Sequence, residues 1–255
     1  MDIPERDQQN SQRMAKKSKY FDFHSHVLSS IDDGSRDSEE SLAMLRESAR
    51  QGIGVIAATP HFYAGEQSIS QFLTRRQESW ERLKKHMEPG IPRVLLGAEV
   101  HYFEGIATSP DILDLRIQGT KLLLLEMPFA PWSTRMVRDV LELNSRPEMV
   151  VLLAHIERYV RFTSPNALDE LYANQVMVQS NAEFFLNWKT KKRAMRMLEA
   201  REIHLLGSDC HNMGSRRPNM AQALEQIRLK LGQQVLDELQ TRAEDLCSGE
   251  GAGIL

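Results

Sequence analysis

The chain has 255 residues, of which 41% are hydrophobic and 26% charged, and its formal net charge is -3. This composition is typical of one soluble globular domain, and the slight negative charge argues against a nucleic-acid partner, because phosphate backbones favour basic surfaces. The chain contains neither an apolar run long enough to span a membrane nor the apolar centre of a signal peptide. Two cysteines give no disulfide framework. We therefore expect a cytoplasmic protein that does not insert into membranes.

The two ends of the chain differ in composition from its middle. Residues 1–19 are polar and show no apolar periodicity, so we expect a disordered arm. Residues 248–255 are short and glycine-rich, and we expect a flexible tail. Residues 20–247 carry regular patterns without an evident linker or repeat, and we expect them to form a single domain.

Seven apolar segments of strand length alternate with longer amphipathic segments. Several are continuous apolar runs, as expected for parallel strands buried on both faces. The predicted strands lie at residues 20–26, 54–61, 93–100, 121–128, 149–156, 176–181 and 204–209. The clearest predicted helices lie at residues 37–52, 68–86 and 187–201. This alternation predicts an α/β fold, either a closed (β/α) barrel or a doubly wound sheet.

The first predicted strand ends in "HSH", with two aspartates close behind. Side chains two residues apart in a strand point to the same face, so His24 and His26 project together. Asp32 and Asp33 follow on the next loop. Two imidazoles and nearby carboxylates suit a divalent metal ion. The alternative for this motif alone is one packed and one solvated histidine.

The other predicted strands also end in ligand-type residues, and α/β barrels place their chemistry at these carboxyl-terminal ends. Five of the eight histidines lie there. The predicted metal ligands are His24, His26, Asp33, His61, Glu99, Glu126, His155, Asp209 and His211. Nine ligands predict two or three ions, and mixed imidazole and carboxylate ligation suits manganese, iron or zinc. His86 is expected to be solvated, His204 to lie at the opposite rim, and His101 to share the face of Glu99.

Six motifs together resemble one known family. These are "FDFHSHVLSSIDDGSRDSEESLAML", "GIGVIAATPHF", "GAEV", "LLLEMPF", "LLAHIERY" and "GSDCHN", which lie within residues 20–223. They resemble the bacterial PHP-type (polymerase and histidinol phosphatase superfamily) manganese-dependent protein-tyrosine phosphatases of capsule and exopolysaccharide systems. The resemblance implies a distorted (β/α)7 barrel of the PHP type, a trinuclear metal centre held by the same nine residues, and a tyrosine autokinase as substrate. Phe62 departs from the pattern, because many relatives have a second histidine there.

A rival signature for the same chemistry is present at residues 210–216. The segment "CHNMGSR" satisfies C-x5-R, the pattern of cysteine-dependent tyrosine phosphatases. The pattern has only two fixed residues, and Asp209 and His211 flank the cysteine as predicted ligands. A packed, unreactive Cys210 is therefore the preferred interpretation.

Two arginines are candidates for holding a phosphate. Arg158 follows His155 by three residues and Arg216 follows His211 by five, with Arg217 as the competitor to Arg216. The guanidinium fork suits phosphoryl oxygens, and a surface ion pair is the alternative for either. The resemblance favours Arg158 and Arg216. The mechanism that we expect from a metal cluster is direct attack of metal-activated hydroxide on phosphorus, without a covalent enzyme intermediate.

Three other functions remain open at this level. The first is a PHP phosphoesterase acting on a small metabolite such as histidinol phosphate. The second is a non-catalytic module that docks on a kinase, which the complete ligand set disfavours. The third is a polymerase-associated PHP nuclease, which the negative charge disfavours. The identity of the kinase, the native metal and the oligomeric state do not follow from the sequence.

Overall fold

The computed structural model describes residues 20–248. The predicted arm at residues 1–19 lies outside the described residues, and so does the predicted tail from residue 249 onward. Ser248, where the tail is predicted to begin, is instead the last residue of the final helix.

Nine parallel strands form the centre of the described part. They are β1 (Tyr20–Ser25), β2 (Ile53–Ala58), β3 (His61–Phe62), β4 (Arg93–Leu96), β5 (Glu99–His101), β6 (Leu122–Glu126), β7 (Val150–Leu153), β8 (Met177–Asn181) and β9 (Leu205–Gly207). All seven predicted strands are present, but the second and third are each broken in two. Pro60, which has no N–H to donate, separates β2 from β3, and Gly97 lies between β4 and β5.

The strands follow one another around a curled sheet. One set has the order β1-β2-β4 and the other β3-β5-β6-β7-β8-β9, and every paired strand is parallel. The first strand also meets the segment after the last. The N–H of Asp209 donates to the His24 carbonyl at 2.8 Å, and the N–H of His26 donates to the Cys210 carbonyl at 2.8 Å. The fold is the predicted distorted (β/α)7 barrel.

Eight α-helices within residues 20–248 pack around this sheet. They are α1 (Ser38–Arg50), α2 (Ile69–Lys84), α3 (Thr134–Asn144), α4 (Pro165–Ala173), α5 (Ala182–Leu186), α6 (Lys191–Glu199), α7 (Met220–Leu231) and α8 (Gln233–Ser248). Three 3₁₀ helices lie at Ile106–Thr108, Ile112–Leu115 and Ile156–Arg158. The Asp37 side chain caps α1 by accepting from the Glu40 N–H, and Ser68 forms a capping box with Gln71 at the start of α2.

Strand β6 shows how the two faces of the sheet are buried. Its leucines alternate, so that Leu122 and Leu124 pack inside the barrel while Leu123 and Leu125 pack toward the helices. All four are fully buried, and each such burial stabilises the fold by about 1.5–3 kcal/mol. Glu126, the next residue, reaches the carboxyl-terminal rim. The continuous apolar run therefore delivers a carboxylate to that rim.

Helix α8 lies against the opposite, amino-terminal end of the strands. Ala243 joins the interior cluster, and Arg242 Nη1 donates to the carbonyl of His204 at 3.2 Å. Helix α8 therefore leaves the carboxyl-terminal rim of the strands uncovered. No helix within residues 20–248 is both long and apolar enough to cross a membrane.

Candidate metal centre

All nine predicted ligands lie together at the carboxyl-terminal rim. His24 lies near the end of β1 and Glu126 ends β6, whereas His61 and Glu99 begin the short strands β3 and β5. The other five occupy the loops that follow β1, β7 and β9. The breaks in the second and third predicted strands therefore place two predicted ligands on short strand continuations at the carboxyl-terminal rim.

Glu99 lies at the middle of the cluster and is almost fully buried. Its Oε2 lies 3.1 Å from His24 Nε2, 3.3 Å from His26 Nε2 and 3.0 Å from His61 Nδ1. Its Oε1 lies 2.8 Å from His155 Nε2. One carboxylate is thus shared by four imidazoles from three separate parts of the chain.

Asp209 and His211 approach the same cluster from the segment after β9. Asp209 Oδ1 lies 3.6 Å from His24 Nε2 and 3.5 Å from His26 Nε2. His211 Nε2 lies 3.2 Å from Asp33 Oδ1. Asp33 differs from the rest of the set because its side chain is 63% exposed. It lies at the solvent side of the centre.

These side chains form three overlapping groups whose donor atoms lie within 4.8 Å of one another. The groups are His26, Asp33, His61 and His211; His24, His26 and Asp209; and His61, Glu99 and Glu126. His155, the remaining predicted ligand, reaches both glutamates, with Nε2 3.4 Å from Glu126 Oε1. The ligand roles of all nine residues stay predictions.

The donor spacing fits metal ions. Metal–nitrogen and metal–oxygen bonds of about 2.1 Å in a tetrahedral site place neighbouring donors about 3.4 Å apart. The nitrogen–oxygen separations around Glu99 and Asp209 have this size. Moreover, His61 Nδ1 and His211 Nε2 are buried without a hydrogen-bond partner. Both nitrogens face a carboxylate at 3.0–3.2 Å, but not in hydrogen-bond geometry. A cation between such atoms would satisfy both sides.

The electrostatics also favour positive charge in this site. Burial alone would raise the pKa of Glu99, but His24, His155 and His26 hold it well below its usual value. Burial lowers the pKa of His26, but Asp32 and Asp209 raise it well above its usual value. His211 behaves differently, because burial and the neighbouring His26 lower its pKa to about 4. Its neutral imidazole is the form that binds a metal.

Three further polar residues contact the predicted ligands. Asp32 Oδ2 accepts from His26 Nδ1 at 2.7 Å, and Gln179 Oε1 accepts from His24 Nδ1 at 3.3 Å. Asn181 Nδ2 donates to Asp209 Oδ2 at 2.8 Å. Such partners fix which ring nitrogen faces a metal. The sequence interpretation did not assign Gln179 or Asn181 any role; their signal is the polar end "QSN" of a buried strand.

The backbone is unusual at several positions of the site. His155 and Asp209 have positive φ, at 29° and 52°, which costs free energy for residues other than glycine. Gly207 is required because a Cβ there would lie 2.5 Å from His24 Cβ, and a Cβ on Gly34 would lie 2.4 Å from the His26 carbonyl oxygen. The backbone is thus strained at His155 and Asp209 and closely packed at Gly207 and Gly34, and this conformation holds the site residues in place.

Both predicted phosphate-binding arginines lie against Asp209. Arg158 Nη2 is 2.7 Å from Asp209 Oδ2, and Arg216 Nη2 is 2.8 Å from Asp209 Oδ1. Their side chains are 37% and 39% exposed, so a substrate can reach them from solvent. Arg217 is exposed. Within residues 20–248 it forms no ion pair or hydrogen bond with a residue of the site. The structure therefore brings Arg158 and Arg216, but not Arg217, to the centre.

The rival C-x5-R interpretation does not fit this geometry. Cys210 is fully buried, and burial raises the pKa of its thiol far above the usual value. Its backbone bridges to Ser25 of β1. A buried, protonated thiol is a poor nucleophile.

The three remaining histidines lie elsewhere. His86 is exposed, as predicted, and His204 lies at the amino-terminal rim, as predicted. His101, two residues after Glu99 in β5, contacts Glu126, with its Nδ1 3.0 Å from Glu126 Oε2. It is absent from the three donor groups above and is best described as a partner of Glu126.

The chain is similar to known proteins over the whole barrel. The profile of the family described as "Capsular polysaccharide synthesis, CpsB/CapC" matches residues 20–246. The chain belongs to this family. The match spans the whole barrel and every residue of the centre.

Relatives within the CpsB/CapC family are tyrosine-protein phosphatases by name. YwqE of Bacillus subtilis is 31% identical over 236 residues, covering 88% of this chain and 90% of YwqE. CpsB of Streptococcus agalactiae serotype V is 28% identical over 237 residues, covering 86% of this chain and 94% of CpsB.

Solved structures agree with this placement. A crystal structure from work on YwqE of Bacillus subtilis and CpsB of Streptococcus pneumoniae, described there as metal-dependent tyrosine phosphatases, matches with a TM-score of 0.77. It is 26% identical, and the match covers 90% of this chain and 95% of that chain. A phosphotriesterase homology protein from Escherichia coli matches with a TM-score of 0.54 at 10% identity, covering 91% and 99%. That second match shows only the shared fold.

Proposed function

We propose that this protein is a metal-dependent protein-tyrosine phosphatase that hydrolyses phosphotyrosine in a tyrosine autokinase of polysaccharide biosynthesis. The observation that carries the proposal is the shared carboxylate of Glu99, which four imidazoles surround beside a pair of partly exposed arginines. The names of the CpsB/CapC relatives support the substrate class.

The metal centre would be held by His24, His26, Asp33, His61, Glu99, Glu126, His155, Asp209 and His211. Divalent ions bound there supply phosphate binding and a water of lowered pKa. We propose Mn²⁺ in two or three positions, since imidazole and carboxylate donors suit it; iron and zinc are the alternatives. Asp32 and Gln179 keep the Nε2 atoms of His26 and His24 turned toward the centre.

The arginines would hold the phosphoryl group. Arg158 and Arg216 approach the two oxygens of Asp209 separately, so they flank one point at the rim. Guanidinium groups at that point can donate charge-assisted hydrogen bonds to phosphoryl oxygens. Asp209 positions both groups, and Asn181 in turn fixes Asp209.

The leaving group needs little help from an acid. Tyrosine has a pKa near 10, so its phenolate leaves more readily than an alkoxide. The site agrees with this expectation, because the titratable groups closest to Glu99 contact one another and do not point outward from the rim. A covalent intermediate on Cys210 does not fit this proposal, because that thiol is buried.

A paired substrate assay tests the proposal. The purified protein, loaded with Mn²⁺, should hydrolyse a phosphotyrosine peptide with a kcat/KM well above that for histidinol phosphate. A protein that hydrolyses histidinol phosphate efficiently and the peptide poorly would be a metabolite phosphoesterase instead. A protein inactive on both, yet containing metal, would favour a non-catalytic module.

A further inference from the structure

Phe129 is a large aromatic residue that stands partly in solvent next to the metal centre. It lies three residues after Glu126, on the loop that follows β6, and 50% of its surface is exposed. A single exposed aromatic residue needs no explanation by itself. The neighbours of Phe129, however, belong to the site.

The ring of Phe129 lies between two groups of the site. Its centroid is 6.0 Å from the ring of His155, a predicted metal ligand. It is 5.7 Å from Cζ of Arg158, a predicted phosphate-binding residue. An aromatic surface is therefore adjacent to one predicted metal ligand and to one of the two predicted phosphate-binding arginines.

The ring is held in place from below. Phe129 stacks on Tyr159 with centroids 5.8 Å apart and an interplanar angle of 21°. Tyr159 is fully buried, its hydroxyl accepts from the Met127 N–H at 2.9 Å, and Trp132 packs on it at 5.2 Å. Met127 and Trp132, which precede and follow Phe129 in the sequence, thus both contact the buried side chain of Tyr159. These contacts restrain Phe129 before a ligand binds and so limit the conformational entropy that it loses on binding.

We propose that Phe129 contacts the phenyl ring of the substrate and thereby selects aryl over alkyl phosphate esters. In phosphotyrosine one oxygen separates phosphorus from the ring, so a phosphate held by Arg158 brings that ring beside Phe129. Aromatic pairs with centroids 4.5–7 Å apart attract each other beyond the area they bury. This inference rests on the proposed function and assigns its selectivity to one residue.

Steady-state kinetics with free phosphotyrosine and inhibition by inorganic phosphate test this assignment. Phe129→Ala should raise KM for phosphotyrosine about 2- to 12-fold. The inhibition constant of inorganic phosphate, which has no ring, should stay at the wild-type value. Phe129→Tyr keeps the ring and should behave like wild type.

Phe162→Ala is the matched control, because Phe162 is 43% exposed on the loop after β7 and makes no ring contact with the site within residues 20–248. It should leave both constants unchanged. An unchanged KM in Phe129→Ala, with wild-type turnover of phosphotyrosine intact, would overturn this inference alone. An equal rise in the inhibition constant of phosphate would also overturn it, because Phe129 would then act through Arg158. A wild-type protein inactive on phosphotyrosine would instead defeat the proposed function.

Discussion

Asp32 Oδ2 lies 2.7 Å from Nδ1 of His26 and holds the imidazole so that its other nitrogen faces Glu99 and Asp209. The same carboxylate oxygen accepts from the His61 N–H at 3.0 Å. Burial would raise the pKa of Asp32, but His26 and the backbone N–H groups of Gly34 and His61 lower it to about 2. Asp32 is therefore ionised and links two predicted ligands, His26 in the loop after β1 and His61 at the start of β3.

Asp32→Asn should weaken metal binding while the barrel stays folded. The amide keeps the shape of the side chain but removes the negative charge that polarises His26. Loss of such a partner costs about 10- to 100-fold in metal affinity. Titration of metal-stripped protein with Mn²⁺, monitored by calorimetry, measures this affinity directly. Wild-type affinity in the variant would mean that His26 needs no orienting carboxylate.

Arg158→Ala and Arg216→Ala should each lower phosphate ester hydrolysis without loss of bound metal. A hydrogen bond from a charged group contributes about 1.5–3 kcal/mol, which corresponds to roughly 10- to 150-fold in rate if it acts only in the transition state. If the hydrogen bond stabilises the ground state and the transition state equally, its loss should raise KM and leave kcat unchanged.

Arg217→Ala is the control for the arginine pair, because Arg217 is exposed and next to Arg216 in sequence. Turnover and metal content of the three variants should be measured together. A larger loss in Arg217→Ala than in Arg216→Ala would show that the phosphate-binding arginine has been misplaced.

The approximate position of the site follows from the sequence, because parallel strands bring their carboxyl ends to one rim whatever their loops do. His24, His61, Glu99, His155 and Asp209 could be predicted to meet for that reason alone. The breaks between β2 and β3 and between β4 and β5 were not predicted. Pro60 was a local signal for the first break, since proline cannot donate to the sheet.

The supporting contacts could not be predicted in the same way. Gln179 and His24 are 155 residues apart, and their hydrogen bond exists only because β8 and β1 flank β9 in the closed barrel. The contact of both arginines with Asp209 likewise depends on loop conformation, including the positive φ of Asp209. Side-chain geometry of this kind leaves no periodic trace in the sequence.

His204 should make the fold sensitive to acid. Burial and the nearby Arg242 lower its pKa from 6.5 to about 4, and its Nδ1 accepts from the Val178 N–H at 3.1 Å. The unfolded chain binds this proton more readily, so His204 lowers the free energy of unfolding as the pH falls from about 6.5 toward 4. The loss is at most about 3 kcal/mol.

His204→Asn offers an uncharged acceptor at the same position. The difference in Tm between pH 7 and pH 4.5 should be smaller in this variant than in wild type. Equal acid sensitivity in the two proteins would mean that other groups, such as the carboxylates of the metal centre, account for all of it.

The most direct test of the account is hydrolysis of a phosphotyrosine peptide by one preparation whose metal content is measured before and after chelation. The account predicts that activity disappears with the metal and returns on titration with Mn²⁺, reaching a plateau at two or three ions per chain. His155→Ala and Asp209→Ala should not recover under the same titration. Full activity in protein shown by elemental analysis to be metal-free would contradict the account.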